Sequence, residues 1–127
     1  MFSSLITLWE NVKAVYAAIF RLDETKSIEI GALGELEFKP GLYVYVGSAM
    51  NNVEKRLERH FSEVKNLHWH IDYFSSEAEP VDYIILPENS DFECKLADIV
   101  SIIGEPVEGF GCSDCGCEAH IYRIPFQ

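Results

Sequence analysis

The stretch from Lys13 to Leu22 constrains the fold more than any other part of the chain. Ala14, Tyr16, Ala18 and Phe20 alternate there with Val15, Ala17 and Ile19. Successive residues of a strand point to opposite faces, so both faces of this strand are apolar. Such a strand belongs inside a sheet that is covered on both sides. A chain of 127 residues has room for one core of that kind.

The remaining elements arrange themselves around it. Asp23 to Lys26 reads as a polar turn, and Ser27 to Ile30 and Glu35 to Phe38 as short strands around Gly31 and Gly34. Pro40-Gly41 marks a turn, and Leu42 to Val46 a strand that ends at Gly47-Ser48. Asn52 to Val64 is the clearest helix, because Val53, Leu57, Phe61 and Val64 share one face. A second helix is expected over Leu67 to Phe74, a strand over Val81 to Leu86, and a helix over Phe92 to Ile103 that Gly104 and Pro106 close. Gly109 to Glu118 is a cysteine-rich loop before a last strand, Ala119 to Ile124. Ser3 to Asn11 has the spacing of a short helix. The expectation is an N-terminal extension over residues 1–12, helical, and one α/β domain over 13–127. That domain is a small mixed sheet with helices packed on it.

Charge narrows the functional classes. The formal net charge is −11, which disfavours binding to nucleic acid by bulk attraction, because phosphate contacts need Lys and Arg. The positive groups are nevertheless clustered: Lys55, Arg56, Arg59, His60, Lys65, His68 and His70 follow one another closely. Any polyanion is expected to be met there. No apolar run reaches the roughly 18 residues of a membrane helix, and Met1 to Val12 lacks the basic start of a secretory leader. A cytoplasmic protein without a membrane partner is expected. Of the four cysteines, Cys112, Cys115 and Cys117 crowd together, while Cys94 stands apart. Without a leader, a metal site or packed free thiols are expected before disulfides. Cys112, Cys115, Cys117 and His120 offer four soft ligands, but Cys115 and Cys117 are too close for ordinary zinc spacing, so zinc is not expected.

Two constellations carry chemistry. Tyr43 and Tyr45 share a strand face, and Arg56, Arg59 and His60 share a helix face immediately downstream. A guanidinium can hold two phosphate oxygens, and a phenol near a cation can take a proton from water. Half-buried aromatics are also ordinary in strands, and an arginine on a solvated helix face is usually without a role. His68 and Asp72 stand four apart and can pair on a helix, while His70 falls beside the apolar stripe of Ile71 and Phe74. Ser90 to Glu93 has the form of a capping box, in which Glu93 would only close a helix.

Val15-Tyr16 and Tyr45-Val46-Gly47 resemble the two halves of the GIY-YIG nuclease signature, and Arg56 to His60 resembles the helix that follows it in that superfamily. Arg21 to Glu24, Gly41 to Ala49, His68 to Tyr73 and Gly109 to Cys117 resemble, more closely, an archaeal and bacterial branch catalogued as a domain of unknown function. Ala14 stands where the superfamily usually has glycine. The resemblance implies metal-assisted cleavage of phosphodiesters in nucleic acid, DNA ahead of RNA, in a structure-selective or damage-related role. Tyr16 and Tyr45 would position or deprotonate the attacking water, Arg56 would stabilise the phosphorane, and His60 comes with Arg56. Lys55, Arg59, His68 and His70 would meet the nucleic acid. Glu93 would hold Mg²⁺ or Mn²⁺. A protein partner supplying substrate binding fits so small a chain. The acidic balance and Ala14 leave open an adaptor that binds without turnover, and the cysteine loop leaves open a zinc-stabilised interaction module.

Overall fold

The computed structural model describes residues 11–62, 69–110 and 119–126. Most of the expected N-terminal helix, His68 and the cysteines Cys112, Cys115 and Cys117 lie outside those residues. Two short segments, β2 (Lys26–Glu29) and β3 (Glu35–Phe38), pair in a small sheet of their own. The main sheet is built from β1 (Ala14–Leu22), β4 (Gly41–Ala49), β5 (Glu79–Leu86), β6 (Glu105–Pro106) and β7 (Ile121–Ile124) in the order β5-β1-β4-β7-β6. Three helices accompany it: α1 (Val53–Phe61), α2 (His70–Ser75) and α3 (Phe92–Ser101). This is the expected α/β domain with helices packed on a small sheet, and every recorded pairing in it is antiparallel rather than mixed.

The two apolar faces of β1 are used as its alternation requires. Tyr16, Ala18 and Phe20 join Tyr43, Val53 and Leu57 of α1 and Ile71 and Phe74 of α2 in one core. Val15 and Ala17 join Val44, Val46 and, from α3, Ala97 and Val100 on the other side. The domain therefore has three layers, with α1 and α2 on one face and α3 on the opposite one. β5 lies at the edge, where Pro80 can omit a backbone donor without breaking the ladder. Among the described residues no helix is long and apolar enough to cross a membrane.

Two boundaries differ from expectation for physical reasons. β4 does not end at Gly47-Ser48 but continues through both, paired with β1 as far as Ala14↔Ala49. Gly47 serves there by lacking a side chain: a Cβ at this position would sit 2.5 Å from the Tyr16 hydroxyl oxygen and 2.6 Å from Cζ. α1 stops at Phe61 instead of Val64, because Ser62 turns extended (φ −77, ψ 141).

Cys94, in the first turn of α3, is disulfide-bonded. This corrects the expectation of free thiols for that residue. Sequence spacing does not reveal which thiols a fold brings together.

Candidate functional site

The site forms at the end of the sheet where β1 begins and β4 finishes. The register pairs Tyr16 with Gly47 and Ala18 with Tyr45, so both tyrosines rise from the same face of neighbouring strands. Their ring centroids are 6.3 Å apart. α1 follows β4 after three residues and packs beside both strands. Its last turn delivers His60, whose Nε2 lies 2.7 Å from the Tyr16 hydroxyl. The edge of the His60 ring also meets Tyr45 at 5.6 Å between centroids.

Tyr16 is a core residue, only 1% exposed. Burial pushes its phenol well above the ordinary range, the neighbouring Tyr45 adds to this, and Arg56 opposes it by charge and by a hydrogen bond. Which of the Tyr16 hydroxyl and Nε2 of His60 donates follows the imidazole tautomer. Tyr45, by contrast, is half-buried and keeps contact with solvent.

Arg56 is held on two sides. Its Nη1 donates to the Ser48 carbonyl at 2.9 Å, and its guanidinium lies 4.9 Å from the Trp69 ring centroid. Arg59, one turn on, lies 5.2 Å from the same ring and pairs with the buried Asp72 at 2.8 Å. The expected partner of Asp72 was His68, which lies outside the described residues. Asp72 is occupied by Arg59 and by the backbone N–H of Trp69, also at 2.8 Å. Lys55 is exposed on α1. His70 opens α2 and packs edge-on against Phe110 at 5.5 Å, and burial lowers its imidazole pKa.

Glu93 approaches from the opposite layer. The Ser90-Glu93 capping box is not formed: Asp91 occupies the N-cap of α3, and no side chain caps this helix. The Glu93 carboxylate turns instead to His120, whose Nδ1 lies 2.8 Å from Oε2. The Val46 carbonyl lies 3.2 Å from the same nitrogen, and since both neighbours are acceptors, Nδ1 carries the proton. Burial pushes the Glu93 carboxyl up, but the hydrogen bonds from His120 and Ser48, with the charge of His120 and Arg56, outweigh it and hold the pKa below the usual range. The side chain remains 22% exposed, so the ionised carboxylate keeps an open side.

Ser48 thus accepts from Arg56 through its carbonyl and helps to hold the Glu93 pKa down. Tyr16, Tyr45, Arg56, His60 and Glu93 come together in this way, with Arg59 on the rim. Two participants were not assigned to the site from sequence. Ser48 read as a turn residue, and His120 read as a soft metal ligand, whereas its Nδ1 is committed to Glu93. Cavities of about 310 Å³ beside Arg21, Glu24 and Lys26, and of about 490 Å³ beside Phe61, Ser75 and Pro80, lie away from these groups.

A family model matches residues 15–127, a span that starts beside Tyr16 and takes in every group described above. The chain belongs to the family Domain of unknown function DUF123. No curated protein and no solved structure matches the chain. The DUF123 match begins one residue into β1.

Proposed function

We propose that this DUF123 chain is an endonuclease of the GIY-YIG type, hydrolysing phosphodiester bonds of nucleic acid with help from a divalent cation. One observation carries the reading: an arginine held at the Ser48 carbonyl and an ionised carboxylate held by His120 act by charge on each other and on Tyr16, beside a second phenol. A phosphodiester under attack gathers negative charge, and a fixed guanidinium on one side answers it. Arg56 suits that role because two contacts hold it before any substrate arrives.

Tyr16 is buried and its hydroxyl is occupied by His60, so in this reading it aligns that imidazole. Tyr45, on the same face and with solvent contact, is the phenol that can orient the attacking water, with His60 at its edge. Glu93 is the residue that would hold Mg²⁺ or Mn²⁺. A single ionised, partly open carboxylate suits a hard cation that completes its shell with waters and phosphate oxygens, and among the described residues no group of three or more His, Cys, Asp or Glu offers a fuller cage. Such a cation supplies Lewis-acid polarisation of the phosphoryl group when bound. His120 and Ser48 hold the carboxylate in place, as partners behind a ligand commonly do.

The test is a cleavage screen over branched, nicked and single-stranded DNA and RNA with Mg²⁺ or Mn²⁺. Cleavage that falls about 100-fold or more in both Arg56→Ala and Glu93→Gln supports the reading. A Glu93→Gln protein that cuts at the original rate removes Glu93 from it. The burial of the Tyr16 hydroxyl favours a second reading, a nucleic-acid-binding module on the same scaffold without turnover. Binding without cleavage under every condition of the screen would select it.

A further inference from the structure

We propose that Trp69, with the guanidinium groups of Arg56 and Arg59, forms a stacking platform for an unpaired nucleobase at the mouth of the site. The inference rests on the nucleic-acid reading above and names the form of substrate. Trp69 is the largest kind of apolar side chain, yet it stays 38% exposed, at the head of α2 and away from the core. It is nevertheless held firmly. Its backbone N–H donates to Asp72 at 2.8 Å, and the same buried carboxylate grips Arg59 at 2.8 Å. Arg56 and Arg59 lie 4.9 and 5.2 Å from the ring centroid, and the edge of His60 lies at 6.4 Å.

A partly exposed flat ring with two guanidinium groups over it matches a ligand with a π-face and an anionic link. A nucleotide has both. Bases within a duplex hide their faces in the stack, whereas single-stranded or extruded bases offer them. His60 stands between Trp69 and Tyr16, so a base resting here brings its own phosphate towards Arg56. The platform also resolves a conflict in the composition. A chain of net charge −11 draws little from bulk attraction to a polyanion, and stacking supplies affinity that does not depend on net charge.

The experiment uses the full chain carrying Trp9→Phe, which leaves Trp69 as the sole tryptophan. Emission is titrated with oligothymidylate, with an abasic strand of the same length, and with a blunt duplex of that length. Quenching by oligothymidylate is expected, with binding to the abasic strand and the duplex at least tenfold weaker. The salt dependence should be shallow, with a log–log slope of about −1.4 for two phosphate contacts on a single strand. In anisotropy titrations of fluorescein-labelled oligothymidylate, which do not need a tryptophan, Trp69→Ala should lose tenfold or more in affinity, while Trp69→Phe, which keeps an aromatic face and controls for folding, should lose much less. Equal binding of the abasic strand, or unchanged affinity in Trp69→Ala, would overturn the platform and leave the nucleic-acid reading standing. Failure of every oligonucleotide to bind would overturn both.

Discussion

The hydroxyl of Tyr16 lies 2.7 Å from Nε2 of His60, and each residue is only 1% exposed. The pair is thus a buried hydrogen bond between β1 and α1 as well as part of the candidate site. Tyr16→Phe should leave an imidazole nitrogen buried without this partner and cost roughly 1–3 kcal/mol. Chemical denaturation of the two proteins at pH 7 gives the difference directly.

The same burial sets an alkaline limit on stability. Tyr16 is held well above its ordinary value, and burial, partly opposed by Arg123, raises Tyr43 to about 12. Both phenols stay neutral in the folded chain after their unfolded counterparts begin to ionise near pH 10. Their contribution is fully present below pH 10 and is lost as pH rises through the folded-state values. The urea midpoint should fall from pH 10 towards 12, and less steeply in Tyr16→Phe and Tyr43→Phe.

Acid acts on the other arm. Glu93 has a folded-state pKa below its usual value, so its contribution is present above about pH 4.5 and is lost as pH falls through the lower, folded-state value. Glu93→Gln and His120→Asn should both flatten the acid limb of the stability profile. An unchanged limb in both variants would mean that the 2.8 Å contact contributes little in solution.

Gly47→Ala tests the close approach of the strands. The new methyl would arrive 2.5 Å from the Tyr16 hydroxyl and 2.6 Å from Cζ, so the ring must move. A loss of about 1–3 kcal/mol is expected. Adding Tyr16→Phe should not restore it, because removing the hydroxyl leaves Cζ in the way. Thermal melts of the single and double variants decide between this steric account and one based on the lost hydrogen bond.

Asp72 is fully buried and serves Arg59 and the Trp69 backbone together. Asp72→Ala should cost roughly 3 kcal/mol, the low end for a broken buried pair, because Arg59 stays a third exposed and can turn to water. A midpoint shift close to zero would show that Arg59 carries no weight in the packing of α1 on α2.

Much of this was legible in the chain because it is local. The double apolar face of β1, the helical stripe of α1 and the short step from Tyr45 to Arg56 are patterns within a few residues of sequence, and they placed the sheet, the helix and one side of the site. What stayed hidden depends on distant partners. Gly47 looks like the end of a strand until Tyr16 is seen opposite it. Ser90 and Glu93 have the spacing of a capping box, but Glu93 is drawn to His120 and Ser48 from two other elements. His120, close behind three cysteines, suggests metal ligation, and only the fold reveals its carboxylate neighbour. The disulfide at Cys94 is hidden for the same reason.

Arg56 is anchored on a backbone carbonyl, that of Ser48. That contact survives any substitution at position 48 that preserves the backbone, whereas Glu93 is anchored on the His120 imidazole, which one substitution removes. His120→Asn would therefore loosen the acidic arm while the cationic arm keeps its anchor. The two arms are genetically separable, so the proposed cation-holding role of Glu93 and the proposed phosphate role of Arg56 are open to independent variation.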